Sequence, residues 1–388
     1  MKIALIATEK LPVPSVRGGA IQIYLEAVAP LIAKKHEVTV FSIKDPNLAD
    51  REKVDGVHYV HLDEDRYEEA VGAELKKSRF DLVHVCNRPS WVPKLKKQAP
   101  DAVFILSVHN EMFAYDKISQ AEGEICIDSV AQIVTVSDYI GQTITSRFPS
   151  ARSKTKTVYS GVDLKTYHPR WTNEGQRARE EMRSELGLHG KKIVLFVGRL
   201  SKVKGPHILL QALPDIIEEH PDVMMVFIGS KWFGDNELNN YVKHLHTLGA
   251  MQKDHVTFIQ FVKPKDIPRL YTMSDVFVCS SQWQEPLARV HYEAMAAGLP
   301  IITSNRGGNP EVIEEGKNGY IIHDFENPKQ YAERINDLLS SSEKRERLGK
   351  YSRREAESNF GWQRVAENLL SVYEKNSRRG EQSVPKRA

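Results

Sequence analysis

Hydrophobic residues in the first half of the chain form short continuous runs, separated by segments with helical periodicity. The run Ile3–Ala7 is apolar throughout, as expected of a parallel strand that is buried on both faces of its sheet. Helical spacing follows over Ile21–Ile32, where Pro30 is expected to kink or shorten the helix. Further strands are predicted at Glu37–Ser42, Val57–His61, Leu82–Cys86, Val103–Ser107, Ile133–Val136 and Lys156–Tyr159.

The alternation of strands and helices stops over the polar segment 166–190 and then returns. This segment holds Pro169, Trp171 and a charged helical stretch around Ala178–Leu186, so we interpret it as an interdomain linker. The alternation favours parallel sheets that are covered by helices on both faces. Strands in the second half are predicted at Lys192–Val197, Val223–Ile228, Val256–Ile259, Val276–Cys279, Pro300–Thr303 and Gly319–Ile322.

A length of 388 residues fits two domains better than one core. The predicted class is α/β, with two Rossmann-like domains whose parallel sheets face a central cleft. The first domain is predicted to span residues 1–165 and the second 191–358. A helix at 359–375 and a flexible tail at 376–388 complete the chain. In such folds, ligands bind at the carboxyl ends of the strands, so candidate residues should directly follow strands.

The composition is that of an ordinary globular protein, with 41% hydrophobic and 27% charged residues. A net charge of +3 is too small to indicate nucleic acid as a partner. The three cysteines, Cys86, Cys126 and Cys279, are scattered, which argues against a disulfide framework or a zinc site. No apolar run approaches the roughly 20 residues of a membrane span, and the first run is too short for a signal peptide. We therefore expect a cytoplasmic protein without a transmembrane segment.

Two cations follow the first strand of the second domain. Arg199 and Lys204 lie in the segment that joins this strand to a helix beginning near Pro206. Above the end of a parallel sheet, such cations are placed to meet a diphosphate. The alternative is that both are solvated loop charges.

A segment with two glutamates follows the strand Val276–Cys279. Pro286 predicts a helix start, and Gly298 a helix end. Eight residues of helix span about 12 Å, which is comparable to the distance from hexose to ribose across a pyrophosphate. Glu285 and Glu293 could therefore each hold one end of such a ligand, the sugar and the ribose. The alternatives are an acid that favours the helix dipole and an acid on a solvated face. Free N–H groups at the helix start would face an anion beside Leu287, Ala288 and Arg289.

The first domain offers weaker candidates. The loop around Gly19 is a candidate phosphate or acceptor loop, but it lacks the GxGxxG pattern of a nicotinamide site. His84 and His109 lie on or just after strands and could bind a sugar hydroxyl, although a buried core histidine is an equal alternative for His84. The DxD match at 63–65 lies in an acidic run that is interpreted as a solvated loop, and no histidine pattern indicates a metal site.

Taken together, these segments resemble the family-4 glycosyltransferases, which are retaining enzymes of the GT-B fold. The resemblance covers nearly the whole chain. Its most specific part is the E-x7-E spacing of Glu285 and Glu293, within EPLARVHYEAMAAGLPIITSNRGGNPEVI. Gly198-Arg199-Leu200 with Lys204-Gly205 resembles a second family signature, and Val158–Asp163 resembles the family's NGVD segment.

The resemblance implies a role for each candidate residue. Arg199 and Lys204 would neutralise the donor diphosphate, Glu285 would bind the donor sugar, and Glu293 would bind the ribose. Gly19 would approach the phosphates through its backbone, and His109 would contact the sugar near the reaction centre. The leaving phosphate would help to deprotonate the acceptor, so no protein nucleophile is implied. Because the residue patterns indicate no metal site, no metal or other cofactor is expected either. The final helix would cross back onto the first domain.

The implied partners are a nucleotide-sugar donor, which in this family suggests a UDP-linked hexose, and an unidentified hydroxyl acceptor. The whole chain is also similar to spore-coat-associated glycosyltransferase-like proteins of spore-forming bacilli. That similarity implies a role in sporulation, in coat or cell-surface glycan formation, with other coat proteins as partners and deposition in the coat.

Leu287-Ala288-Arg289 departs from the family pattern, which usually has a Phe-Gly-Leu-like run after the first glutamate. Ala288 carries a Cβ where glycine would leave room for the ligand, and Arg289 is bulky and charged. This departure motivates the alternative that the chain is a coat component with the fold but little activity. A third alternative, an epimerase acting on UDP-sugars, lacks a convincing acid/base pair.

Overall fold

The computed structural model describes residues 1–229, 240–260, 262 and 266–382, and the side chains up to residue 377. The chain divides into two compact units. The first comprises Met1–Gly161 together with Trp362–Ala388, and the second comprises Val162–Gly361. The segment 166–190 therefore belongs to the second unit, and the C-terminal helix belongs to the first. Within the described residues, no helix is both long and apolar enough to span a membrane.

The first unit is built on an eight-stranded sheet in the order β3-β4-β2-β1-β5-β6-β7-β8. Neighbouring strands are parallel, except that β3 pairs antiparallel with β4 at one edge. The strands are β1 Lys2–Ile6, β2 Glu37–Ile43, β3 Arg51–Val54, β4 Val57–Leu62, β5 Leu82–Cys86, β6 Val103–Val108, β7 Gln132–Thr135 and β8 Thr155–Thr157. Except for β3, each confirms a predicted strand to within a few residues. β3 was missed because its sequence, REKV, has little of the apolar character that marks buried strands.

Helices cover both faces of this sheet. They are α1 Ala20–Ala33, α2 Tyr67–Lys77, α3 Val92–Gln98, α4 Gln120–Ser129, α5 Asp138–Arg147 and, at the end of the chain, α13 Trp362–Gln382. Helix α1 continues through Pro30. Helix α13 continues to Gln382, within the segment 376–388 that is predicted to be a flexible tail. Residues 383–388 lie outside the described part of the chain.

One of the two apolar layers of the first unit is shared by α1, α13 and the sheet. Leu25, Val28 and Ile32 of α1 lie in the same buried cluster as Leu369 and Tyr373 of α13. Their burial removes large apolar side chains from water, which is the main stabilising contribution in a core of this kind. The far end of the sequence therefore completes the core of the first unit.

The second unit is built on a six-stranded parallel sheet in the order β11-β10-β9-β12-β13-β14. The strands are β9 Lys192–Val197, β10 Val223–Ile228, β11 Val256–Ile259, β12 Val276–Cys279, β13 Ile301–Ser304 and β14 Gly319–Ile322. All six confirm the predicted strands. The central strands β9, β10 and β12 have continuous, buried apolar runs, which suits strands that are covered on both faces.

The helices of the second unit are α6 Asn173–Glu185, α7 Pro206–Glu219, α8 Asn240–Ala250, α9 Ile267–Thr272, α10 Val290–Ala296, α11 Pro328–Leu339 and α12 Ser342–Asn359. Helix α6, in the predicted linker, is anchored to the sheet by an ion-pair cluster. Arg179 and Arg183 donate to the two carboxylate oxygens of the buried Asp275, at 2.7 and 2.8 Å. Asp275 immediately precedes β12, so this cluster joins the helix to the strand that leads into the glutamate segment.

Candidate active site

Three neighbouring strands of the second sheet, β9, β12 and β13, deliver the candidate residues at their carboxyl ends. Arg199 and Lys204 follow β9, Glu285 follows β12, and the loop with Gly307 follows β13. Because these strands are adjacent and parallel, their three loops emerge side by side at one edge of the sheet.

The loop after β9 is tied to the loop after β12 through backbone groups. A short 3-10 turn at Lys202–Lys204 ends at Gly205, whose φ of +70° is in the left-handed region. A Cβ at Gly205 would lie 2.1 Å from the carbonyl oxygen of Ser280, so only glycine allows this approach. The Ser280 hydroxyl donates to the carbonyl oxygens of Lys204 and Gly205, at 3.2 and 3.0 Å. The backbone of Lys204 is thereby fixed relative to the glutamate segment.

The carboxylate of Glu285 is the centre of the candidate site. Only 2% of the surface of Glu285 is exposed to solvent. The ammonium group of Lys204 contacts both carboxylate oxygens and lies 2.8 Å from Oε2. The indole N–H of Trp283 donates to Oε1 at 2.8 Å. A buried carboxylate needs such partners because desolvation disfavours its charge, and Lys204 and Trp283 supply them.

The loop after β13 closes over the backbone of Glu285. The N–H of Gly308 donates to the Glu285 carbonyl oxygen at 2.8 Å, and the N–H of Gly307 donates to Oε1 of Gln284 at 2.6 Å. Gly307 has a φ of +58°, and a Cβ there would lie 1.9 Å from the Glu285 carbonyl oxygen. The Gly307 turn therefore approaches the backbone of Glu285 closely, and glycine is required there.

The predicted helix start at Pro286 is wrong. Helix α10 begins at Val290, with Arg289 as its N-cap residue, and Glu285 lies in the irregular segment before it. The backbone N–H of Ala288 donates to Oδ1 of the buried Asn309, at 3.0 Å. Irregular backbone therefore separates Glu285 from α10, because the contacts to Gly308 and Asn309 compete with helical hydrogen bonds. Leu287, Ala288 and Arg289 form this segment, and Glu293 lies in the first turn of α10 rather than two turns into a helix.

Glu293 is held by two side chains. The hydroxyl of Tyr271, from α9, donates to Oε2 of Glu293 at 2.9 Å. Nη2 of Arg289 lies 3.9 Å from Oε1, one helical turn away. Burial of Tyr271 raises its pKa well above the ordinary value, and the negative charge of Glu293 adds to this shift. Tyr271 therefore keeps its proton at neutral pH and acts as a hydrogen-bond donor.

Arg289 and Arg199 occupy different settings. Arg289, which departs from the family pattern, is turned towards Glu293 on its own helix, with a side chain that is only 18% exposed. Arg199 lies partly exposed in the loop after β9, and its carbonyl oxygen accepts from the N–H of Ser201 at 2.9 Å. The structure thus brings Lys204 and Glu285 into direct contact and places Arg199 in the same loop as Lys204.

In the first unit, Gly19 precedes α1 with a φ of +98°. A Cβ at this position would lie 2.3 Å from Oε1 of Gln22 and 2.8 Å from Cδ1 of Leu11. Glycine is therefore required both by the backbone conformation and by the space.

His109 follows β6 in the first unit. Its backbone N–H donates to Oδ1 of Asn87 at 3.0 Å, and its ring packs edge-on against Tyr24, with centroids 5.1 Å apart. Burial lowers the pKa of His109 to about 4, so the ring is neutral at pH 7. Its Nε2 atom is buried and has no hydrogen-bond partner among the described residues.

Two other sequence candidates have structural roles. His84 is a buried core residue, since Nδ1 bonds the Tyr373 hydroxyl at 2.6 Å and Nε2 bonds the Ser107 hydroxyl. Burial lowers the pKa of His84 to about 3. Asp63, in the DxD match, has a side chain that is 79% exposed and pairs with Lys44 at 3.1 Å, which fits a solvated loop. Over the described residues, no group of three or more His, Cys, Asp or Glu side chains is arranged to hold a metal ion.

The sequence analysis missed Trp283, Tyr271, Asn309 and Asn87. Trp283 lies two residues before Glu285, and a tryptophan in a polar loop was an available signal. Tyr271 belongs to a different helix from Glu293, and Asn309 follows a different strand from Ala288, so no local pattern connects them. Asn87 adopts a φ of +57°, which asparagine tolerates better than most residues. The neighbouring sequence contains no pattern that predicts this conformation.

Two family models match successive parts of the chain. Residues 17–166 match the family "Glycosyltransferase Family 4", and residues 178–355 match "Glycosyl transferases group 1". The "Putative glycosyltransferase YtcC" of Bacillus subtilis is 48% identical over 96% of this chain and 92% of its own length. The "Uncharacterized glycosyltransferase MJ1607" of Methanocaldococcus jannaschii is 26% identical over 96% of this chain and 98% of its own length.

Solved structures show the fold. The Anabaena protein HepE, crystallised with UDP and glucose, superposes with a TM-score of 0.78 at 20% identity, over 97% of this chain and 100% of HepE. WaaG, a glycosyltransferase involved in lipopolysaccharide biosynthesis, gives a TM-score of 0.71 at 16% identity, over 96% and 99% of the two chains. The two parallel-sheet α/β units are those of the GT-B fold. With 48% identity to YtcC over nearly its whole length, the chain belongs to the glycosyltransferases.

Proposed function

We propose that the chain transfers a hexose from a UDP-linked donor to a hydroxyl acceptor, with retention of the anomeric configuration. The observation that carries this proposal is the contact of Lys204 with the buried carboxylate of Glu285, whose backbone the Gly307 turn approaches closely. A cation and a hydroxyl-binding carboxylate at adjacent strand ends are the groups that a sugar diphosphate requires.

In this proposal, the second unit holds the donor. Lys204 and Arg199 neutralise the diphosphate and the charge that develops as it leaves. Glu285 accepts hydrogen bonds from the sugar hydroxyls, and Glu293, steadied by Tyr271, accepts from the ribose hydroxyls. The phosphates lie beside Leu287, Ala288 and Arg289. The N–H of Ala288 already donates to Asn309, so it contributes to this cradle only if that hydrogen bond is shared or exchanged.

Gly19 and His109 are the candidate ligand-binding residues of the first unit. A neutral imidazole with an unpartnered Nε2 can exchange a hydrogen bond with a sugar hydroxyl without adding charge near the reaction centre. Retention follows if the leaving phosphate oxygen takes the acceptor proton on the same face of the sugar, and no protein nucleophile is then required.

We propose UDP as the nucleotide of the donor because a protein with the same fold was solved with UDP-glucose. HepE was solved with UDP-glucose and shares the fold of this chain. Because that likeness is one of fold, the nucleotide is best assigned by a panel of UDP-, ADP- and GDP-sugars. Ligand binding raises the melting temperature by mass action, so a thermal-shift panel ranks them directly.

We also propose that transfer needs no metal ion, since Lys204 and Arg199 provide the positive charge at the donor diphosphate. Donor turnover should then be unchanged, within about twofold, after exhaustive treatment with EDTA. Loss of activity that Mg²⁺ or Mn²⁺ restores would contradict this part of the proposal.

The cellular role that we propose is glycan formation in the spore coat or at the cell surface, by a protein made in the cytoplasm and deposited in the coat with other coat proteins. A coat component without activity is not favoured, because Lys204, Glu285 and Glu293 are all present and held by specific partners. A sporulating strain that carries Lys204→Ala separates the two roles. Loss of a coat glycan with the protein still deposited supports the enzyme, whereas an unaltered coat supports the structural role.

The enzymatic proposal is tested by donor hydrolysis and transfer in the wild type, Lys204→Ala and Glu293→Ala. Loss of one group that stabilises the leaving phosphate should lower kcat by on the order of 100-fold or more. Loss of the ribose acceptor should weaken nucleotide binding by about tenfold. Lys202→Ala is the matched control, since Lys202 is exposed in the same loop. A wild type that neither binds nor turns over any common sugar nucleotide would refute the proposal.

A further inference from the structure

The carboxylate of Glu285 has two partners of different character. Lys204, a cation, contacts both oxygens, whereas Trp283, a neutral donor, contacts Oε1. The ring of Trp283 also lies under the Lys204 ammonium, which is 5.8 Å from its centroid. Glu285 is buried, while Trp283 is 37% exposed at the surface of the site.

These contacts conflict with the roles of the proposed function, on which the following inference rests. An ionised carboxylate only accepts hydrogen bonds, so sugar hydroxyls must donate to the oxygens that Lys204 now contacts. Lys204 is in turn required by the diphosphate. While the ammonium spans both oxygens, neither the hydroxyls nor the diphosphate has full access to its partner.

We propose that donor binding transfers Lys204 from Glu285 to the diphosphate, and that Trp283 is the positioning residue that keeps Glu285 in place once Lys204 has left. The arriving diphosphate carries more negative charge than one carboxylate and therefore competes with Glu285 for the ammonium group. The departure of Lys204 uncovers Oε2 and part of Oε1, and the sugar hydroxyls take these positions. The diphosphate thereby prepares the subsite for the sugar to which it is attached.

Trp283 has a necessary part in this exchange because of the burial of Glu285. Removal of one partner from a buried ion pair leaves an uncompensated charge, and such a carboxylate would turn towards water or take up a proton. The indole N–H stays on Oε1 throughout, and the N–H of Gly308 holds the Glu285 backbone at 2.8 Å. The carboxylate therefore keeps its orientation until the hydroxyls arrive.

The exchange predicts an unusual effect of Glu285→Gln. The amide has the same shape but no charge, so it no longer competes with the diphosphate for Lys204. The affinity for UDP alone, measured by titration calorimetry, should rise by roughly 3- to 10-fold. UDP-glucose turnover should fall, because the amide is a poorer acceptor for sugar hydroxyls. Glu218→Gln, an exposed glutamate of α7, removes the same charge elsewhere and should change neither quantity.

Trp283→Phe tests the positioning role. Phenylalanine keeps an aromatic ring at this position but lacks the N–H. UDP affinity should stay within about twofold of the wild type, whereas UDP-glucose turnover should fall by on the order of tenfold, the effect of losing a hydrogen bond to a charged group. If Trp283 had only a structural role, its substitution would weaken the binding of UDP and of UDP-glucose together.

The outcomes distinguish the inference from the proposed function. If the wild type binds neither UDP nor UDP-glucose, the inference fails together with the assignment of a UDP donor. If the wild type binds UDP but Glu285→Gln does not tighten it, only the partner exchange of Lys204 is refuted. If Trp283→Phe weakens UDP and UDP-glucose equally, or changes neither, the positioning role is refuted. Because the two variants are independent, misfolding of one leaves the other decisive.

Discussion

At the scale of single residues, the site depends on positions where a side chain would be excluded. Gly205 and Gly307 both have positive φ, and a Cβ at either position would collide with backbone of the glutamate segment. The position of Glu285 is thus set by residues from three loops. Of its near neighbours in sequence, Trp283 contributes a hydrogen bond to its carboxylate.

Gly307→Ala should displace Glu285. The added Cβ would lie 1.9 Å from the Glu285 carbonyl oxygen, so the loop after β13 must move and the hydrogen bond from Gly308 is lost. We expect donor turnover to fall by at least about tenfold and stability to fall by roughly 1–3 kcal/mol. Donor hydrolysis and urea unfolding measure the two effects.

Gly316→Ala is the control for this change. Gly316 has a φ of +73°, but no heavy atom lies within 4 Å of the position that a Cβ would occupy, so the substitution adds only backbone strain. We expect a stability loss of about 1 kcal/mol with turnover unchanged. Equal turnover in the two variants would show that the Gly307 contact does not position Glu285.

At the scale of elements, one buried carboxylate connects a helix to the strand that leads into the site. The Asp275 carboxylate accepts hydrogen bonds from Arg179 and Arg183 of α6. Its Oδ2 also accepts a hydrogen bond from the backbone N–H of Ile193, at 2.8 Å. Burial alone would raise the pKa of Asp275, but the charges of Arg179 and Arg183 and the Ile193 N–H outweigh it, so the pKa lies below its ordinary value. Helix α6 therefore depends on this ionised group.

Asp275→Asn should destabilise the second unit by about 3–5 kcal/mol at pH 7, because the arginines lose their buried partner. A lowered folded-state pKa means that Asp275 contributes its full stability above the unfolded pKa of about 3.9, and loses it as the pH falls through the lower folded value. The difference in free energy of unfolding between wild type and variant, measured with urea, should accordingly become smaller below about pH 4. A difference that is constant from pH 7 to pH 3 would contradict this assignment.

At the scale of the whole molecule, the last helix is the least local feature of the fold. Helix α13 follows the entire second unit in sequence, yet it belongs to the core of the first. The Tyr373 hydroxyl bonds His84 of β5, so the packing includes a buried polar contact that requires one register of α13. The first unit cannot complete its core before the second has been synthesised.

A chain that ends at residue 361 should not fold stably. It lacks Val365, Leu369, Val372 and Tyr373, and each buried apolar side chain contributes about 1.5–3 kcal/mol. Their sum is comparable to the total stability of a typical domain, about 5–15 kcal/mol. A chain that ends at residue 382 is the control and should keep the wild-type melting temperature. A cooperative wild-type transition in the 361-residue chain would show that α13 is dispensable.

The sequence by itself determined the described strands except β3, the two-unit α/β class and the family, because buried parallel strands are continuous apolar runs and E-x7-E with Arg199 and Lys204 is a specific pattern. It also identified Glu285 and Lys204 as candidates. It could not determine that they contact each other, or that α10 begins only at Val290. Those outcomes depend on the hydrogen bond that the Gly308 N–H donates to the Glu285 carbonyl oxygen and on the one that Asn309 accepts from the Ala288 N–H, and both partners follow a different strand, β13. Only tertiary structure brings such groups together, and their contacts outweigh the local helix signal of Pro286.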